Sequence, residues 1–279
     1  MTVNNSDRNG RALEYAVTDE LSKIINATLT QRAISDNARD RQKFFAIPQE
    51  LQQQYVTAAK KITNWISSQF INQTITIDRL PDSSTSVTDI AIFSPTNKIE
   101  ISLKHNHFAL KHPRPYSFAQ ACGYVKNSAN DFAHRALMKT VDTNFRALAT
   151  GKINYNECSL SALYTDVYRA CETSINNWVS DANLAKQLFS FLVNNGFYKV
   201  IVNTSSTVSV TVQDYLSVAS VTNVSASTQS QYLTLTFNNG WKITLRVHTA
   251  ATKISNSPSQ LSLKFDAQKI AGQIAEFNL

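Results

Sequence analysis

Asp89 heads the run Asp-Ile-Ala-Ile-Phe93, and Lys98 opens a second run, Lys-Ile-Glu-Ile-Ser-Leu-Lys104. Alternate residues of an extended chain share a face. Glu100, Ser102 and Lys104 therefore lie together, opposite Ile99, Ile101 and Leu103, and a partner strand with Ile90 and Ile92 on the apolar side brings Asp89 beside them. Carboxylates hold a hard divalent cation through oxygen, and such a cation offsets the charge that develops on a phosphate under attack. A neighbouring lysine can orient or activate the attacking water. Asp89, Glu100, Ser102 and Lys104 thus contain the parts needed for phosphodiester hydrolysis. The competing reading is an ion-pair ladder on an exposed sheet face.

The residues that follow favour the chemical reading. His105-Asn106-His107 and Lys111-His112-Pro-Arg114 are rich in hydrogen-bond donors suited to phosphates and base edges. A zinc site is the weaker alternative, because His105 and His107 are two apart and no Cys or third ligand is near in sequence. From Lys98 to Lys152 there are nine Lys or Arg against three acids, an excess of six in a chain whose net charge is +7. A local positive field of this kind suits a polyanion, since neutralising phosphates releases counterions. A solvated basic face has the same composition.

These residues need elements to hold them. Ser94-Pro-Thr-Asn97 is turn chemistry, so strands over Thr88–Phe93 and Lys98–Lys104 form a hairpin beside a run at Thr74–Asp78. An N-terminal helix is predicted over Arg11–Thr28, with Leu13, Val17, Leu21 and Ile24 on one stripe. At about 100° per residue, Glu14 falls inside that stripe. A carboxylate there must be paired, protonated or bound to metal. A second helix, Pro48–Phe70, carries core residues only. Helical patterns resume at Ser117–Leu148 and Ala182–Asn194, and the last third is β-rich: Phe197–Asn203, Val208–Val212, Tyr232–Phe237 and Trp241–Val247, with a hairpin turn at Asn238-Asn-Gly240. Ser205–Ser230 keeps enough β-branched residues to be strand and loop. On the strand from Trp241, Lys242, Thr244 and Arg246 share a face that His248 continues, and Lys253 and Lys264 add charge nearby. Arg bidentate to guanine is the commonest specific base contact, which suits Arg246 or Arg114 to a G/C-rich target.

No repeat and no clean boundary is visible, so one domain over 1–279 is expected, with residues 1–150 as catalytic core and 195–279 as a β-rich portion contributing to DNA recognition. Cys122, Cys158 and Cys171 lack CxxC spacing, which suggests buried free thiols. There is no run of about 18 apolar residues for a membrane span and no apolar centre of a signal peptide, so a cytoplasmic, non-membrane protein is expected.

The Asp89 to Lys104 arrangement resembles the nuclease motif PD-(D/E)xK, with Thr88 where Pro is often found and Ser102 in the place of the second acid. Some members of that superfamily draw the missing carboxylate from elsewhere, and Glu100 and Glu14 are the candidates here. Asn9-Gly-Arg-Ala-Leu-Glu14-Tyr, Ile101-Ser-Leu-Lys-His-Asn-His107, Ala109-Leu-Lys-His-Pro-Arg114, Arg246-Val-His-Thr-Ala250 and Ser262-Leu-Lys-Phe-Asp266 together look like the HaeIII family of type II restriction endonucleases. That resemblance implies an α/β restriction-endonuclease-like core, a mixed sheet flanked by helices with a β-rich C-terminal part. It implies magnesium (Mg2+) held by Asp89 with Glu14 or Glu100, Lys104 assisting water, and double-strand cleavage at a short palindrome, GGCC as first guess. The polar and basic side chains His105, Asn106, His107, Lys111, His112, Arg114, Arg246, His248 and Lys264 would hold double-stranded DNA, and a palindromic target implies a homodimer. The alternatives are a modification-dependent endonuclease with the same centre and a non-catalytic DNA-binding protein.

Overall fold

A computed structural model describes residues 5–81, 87–106, 110–194, 196–205, 207–216, 218–229 and 231–279. The first half of the chain forms α1 (Asn5–Leu21), β1 (Ala27–Leu29), α2 (Gln31–Phe45), α3 (Gln49–Gln69), β2 (Ile75–Arg79), β3 (Ile90–Phe93), β4 (Lys98–His105), α4 (Phe118–Ala121) and α5 (Ala129–Leu148). The second half forms α6 (Ser161–Trp178), α7 (Leu184–Leu192), β5 (Tyr198–Asn203), β6 (Ser209–Asp214), β7 (Val224–Gln229), β8 (Tyr232–Phe237), β9 (Lys242–Thr249), β10 (Leu263–Ala271) and β11 (Ala275–Asn278). The protein is α/β, with a mixed sheet flanked by helices and a separate antiparallel sheet from the C-terminal part. Its residues fall into two compact units: Met1–Phe108, Asn195–Val218 and Ile274–Leu279 in one, Ala109–Asn194 and Ala219–Gln273 in the other. The stretch 1–150 expected as a single core is thus divided between units, and so is 195–279.

The first unit is built on a seven-stranded sheet of order β1-β2-β3-β4-β5-β6-β11. The β1–β2 and β4–β5 pairs are parallel and the others antiparallel. One face carries Ile75, Ile77, Ile90, Ile92, Ile99, Ile101, Leu103, Val200 and Val202, packed on Leu13, Val17 and Leu21 of α1 and on Tyr55, Ala59, Ile62 and Ile66 of α3. Each such side chain contributes about 1.5–3 kcal/mol on burial. The expected hairpin forms in register, Ile90 opposite Ile101 and Ile92 opposite Ile99, around a turn in which Ser94 Oγ accepts the Asn97 N–H at 3.0 Å.

The helix expected to reach Thr28 stops at Leu21. Asn26 adopts a left-handed backbone (φ 65°) and turns the chain into β1. Ile24 still packs on the core, which is why its spacing imitates another helical turn, whereas Ile25 is 84% exposed. Helix α2 is absent from the expectations above because its buried face is Ala33, Asp40 and Phe44, too polar for an apolar stripe.

The second unit pairs a four-stranded antiparallel sheet of order β10-β9-β8-β7 with α6, whose Leu163, Val167, Cys171 and Ile175 are buried. Helix α6 was likewise not anticipated. The pattern at Ser117–Leu148 is two helices, separated where Gly123 (φ 91°) and Asn127 (φ 67°) turn the chain and Ser128 caps α5 by accepting the Asp131 N–H. Asn238–Gly240 forms the expected turn between β8 and β9. Cys122 and Cys171 are buried free thiols; Cys158 is half-buried. Among the described residues no helix is long and apolar enough to cross a membrane.

Candidate active site

The antiparallel ladder positions Asp89: its N–H donates to Ile101 O at 2.8 Å and its carbonyl accepts the Leu80 N–H at 2.9 Å. Its carboxylate lies along β4, where Oδ2 accepts the Leu103 N–H at 2.6 Å and stands 3.8 Å from Lys104 Nζ. The Asp89 and Lys104 side chains are 22% and 23% exposed. Burial pushes the Asp89 carboxyl above the usual aspartate range, against the pull of Lys104 and of the Leu103 N–H. Ser102 Oγ is buried beside it; the hydroxyl favours the Asp89 anion but makes no well-formed hydrogen bond among the described residues.

Glu14 joins this pair from α1. Arg79 on β2 falls in the same alternation as Ile75 and Ile77 and so points into the helix-covered face, where its guanidinium binds Glu14 and reaches Asp40 Oδ2 at 2.9 Å. Arg11 donates to Glu14 Oε2 at 3.0 Å. Burial raises the Glu14 pKa, and the negative charge of Asp89 raises it further, while Arg79 and Arg11 pull it down. The two carboxylates therefore repel through a poorly solvated interior.

Their oxygens are used unequally. Both bonds to Glu14 end on Oε2, and both contacts to Asp89 end on Oδ2. Oε1 of Glu14 has no well-formed hydrogen bond among the described residues, and Ser102 is a further group that favours the Asp89 anion. Glu100 differs: Oε1 meets Lys98 and Oε2 accepts from Thr88 at 3.2 Å, so both of its oxygens are occupied. Of the two candidates for the missing acid, Glu14 is the one that feels the charge of Asp89, and Glu100 is engaged by Lys98 and Thr88. No three His, Cys, Asp or Glu side chains converge as a metal-binding group among the described residues. Two carboxylates are nonetheless a suitable donor set for Mg2+, which keeps several waters and takes one or two carboxylates with substrate phosphates.

Of the remaining expected contacts, His105 and Asn106 belong to this unit and His107 lies outside the described residues. His105 Nε2 lies 2.9 Å from Thr204 Oγ1 and its ring meets Tyr55 edge-on. Asn106 is left-handed (φ 57°) and its Oδ1 accepts the Thr204 N–H at 3.0 Å. Both side chains clamp the end of β4 to the chain after β5. The other basic residues lie in the second unit. Lys111 Nζ sits 4.8 Å over the Phe191 ring, and His112 Nδ1 accepts the Ala267 N–H at 3.0 Å. Arg114 is exposed and lines a cleft with Lys126 and Arg135. Arg246 and Lys264 make no ion pair among the described residues, and His248 Nδ1 is 3.3 Å from Asp266 Oδ2.

Arg79 and Arg11 were missed as partners of Glu14, and Asp40 as the second acid on Arg79. Arg79 was findable, because strand alternation puts it on the apolar face and a buried cation needs an acid. Asp40 was not, since α2 has no apolar stripe to reveal its buried side. No protein-family model matches this chain, and no curated protein matches it in sequence.

Proposed function

We propose that this chain is a magnesium-dependent endonuclease that hydrolyses DNA phosphodiesters, a PD-(D/E)xK nuclease of the type II restriction kind resembling the HaeIII family. The observation that carries this reading is the grouping of Asp89, Lys104 and Glu14: Asp89 Oδ2 is fixed by the Leu103 N–H, a lysine stands 3.8 Å from it, and the charge of Asp89 is felt by Glu14, which is held through Oε2. Asp89 and Glu14 would hold Mg2+, with Ser102 in the place of the motif's second acid. Bound there, the cation supplies Lewis-acid stabilisation of charge on the phosphate. Lys104 would donate to and orient the attacking water, and its positive charge favours the Asp89 anion against the effect of burial. A palindromic target, GGCC on the resemblance, calls for a homodimer whose two-fold axis matches the DNA.

Plasmid cleavage with Mg2+ tests the centre. Asp89→Asn and Lys104→Ala should each reduce the cleavage rate by about a hundredfold or more, in line with the loss of an electrostatic catalytic group, while binding to the same DNA in EDTA persists. Full-rate cleavage by either purified variant overturns the assignment.

A further inference from the structure

On the second unit's sheet, Arg246 of β9 and Asp266 of β10 are direct cross-strand partners. They nevertheless form no ion pair with each other: Asp266 reaches sideways to His248 at 3.3 Å, and the exposed Arg246 guanidinium has no hydrogen bond among the described residues. Strand β8 begins at Tyr232, so β9 runs past it with no β8 partner on that edge, and the Val247 N–H donates to Tyr168 Oη at 3.0 Å, an oxygen that itself donates to the Gln231 carbonyl at 2.7 Å. The ledge so formed is a cleft of about 460 Å³, with Tyr164, Tyr168, Gln231, Arg246, His248 and Asp266 among its walls. Its volume is in the range of small-ligand sites.

The ligand chemistry follows from the two charged groups. A guanidinium offers parallel N–H donors, and a carboxylate two acceptor oxygens, side by side at the spacing of one strand pair. Guanine presents the complementary edge, the O6 acceptor next to the N1–H and N2–H donors. Adenine and thymine or uracil invert or lack part of that pattern, and cytosine has no ring N–H. An aromatic side chain in the wall supplies a surface against which a base can stack. A base within a duplex does not offer this edge, whereas an extruded or unpaired one does.

We propose that this cleft binds a single unpaired guanine base, Arg246 donating to O6 and Asp266 accepting from N1–H and the exocyclic amine. The proposal rests on the reading of the chain as a DNA-binding enzyme and adds that it engages a guanine outside the base-paired stack.

Fluorescence anisotropy in EDTA tests it without any cleavage, using a labelled single-stranded oligodeoxyadenylate with one central guanine and the same strand carrying adenine or hypoxanthine there. Phosphate contacts are equal in the three strands, so their ratio isolates the base. The guanine strand should bind about tenfold more tightly than the adenine strand, the range of one good bidentate contact, with hypoxanthine between them because it lacks the exocyclic amine. Asp266→Asn should bring the ratio towards one and leave the adenine strand's affinity unchanged or slightly improved; Arg246→Gln should weaken all three and also remove the preference. Equal binding of the guanine and adenine strands by the native protein, or a preference that survives Asp266→Asn, overturns the proposal. Loss of the preference with cleavage intact leaves the nuclease centre standing, and the reverse result separates them the other way.

Discussion

Asp89 carries a charge that its surroundings disfavour. Burial raises its pKa, and the nearby Glu14 carboxylate is raised partly by the charge of Asp89. A carboxyl whose folded pKa is raised stabilises the fold when protonated, below the ordinary aspartate value of 3.8, and that contribution is lost as pH climbs through the higher folded value. Asp89→Asn keeps an oxygen for the Leu103 N–H and carries no charge to lose. In metal-free buffer at neutral pH its thermal midpoint should exceed that of the native protein. The gap should close as pH approaches 4 and narrow again when Mg2+ is added to the native protein. An unchanged or lower midpoint at neutral pH would mean that Asp89 is an ordinary structural ion. A variant both more stable and inactive is the pattern expected of a strained functional group.

At the scale of elements, one guanidinium ties three of them together. Arg79 of β2 binds Glu14 of α1 and Asp40 of α2, and Asp40 is fully buried. Burial alone would raise the Asp40 pKa; Arg39 and Arg79 together bring it below the ordinary range, so its stabilising contribution is present above the ordinary aspartate value of 3.8 and fades as pH falls. Arg79→Ala leaves two buried acids stranded beside the more exposed Arg11 and Arg39, and should cost about 3 kcal/mol, the lower end for a broken buried pair, in urea denaturation at neutral pH. Part of that loss should return on acidification, as the stranded acids protonate; a cost independent of pH would point to lost packing in place of lost charge. The same triad shows what could be read in the sequence. The β3–β4 hairpin, α3 and the Glu14 conflict were legible because period-2 and period-3.6 patterns coincide with burial there. Helix α2 was not, because its inward face is an acid whose partner lies 39 residues away on another element. The division of the last third was also hidden: β5, β6 and β11 join the mixed sheet while β7 to β10 form their own, and strand alternation looks alike in both.

For the molecule as a whole, the question is which cations remain available to a polyanion once internal pairing is accounted for. Within Lys98–Lys152, Lys98 meets Glu100, Lys104 faces Asp89 and Arg135 meets Asp131. Arg146 donates to the Ser255 and Ser259 carbonyls, each at 2.6 Å. Arg114, Lys126, Lys139 and Lys152 are exposed, and none has an acidic side chain within ion-pair distance among the described residues. All four belong to the second unit. Each phosphate neutralised adds about 0.9 to the slope of log affinity against log salt, so four contacts should weaken duplex binding by about a hundredfold between about 50 and 200 mM salt. Alanine at Lys126 and Lys139 together should lower the slope by about two while leaving any base preference in place. Binding in EDTA measured across a salt series decides the matter: a flat response, or a slope unchanged by the double substitution, means that this basic excess is a solvated surface and that DNA is held elsewhere or not at all.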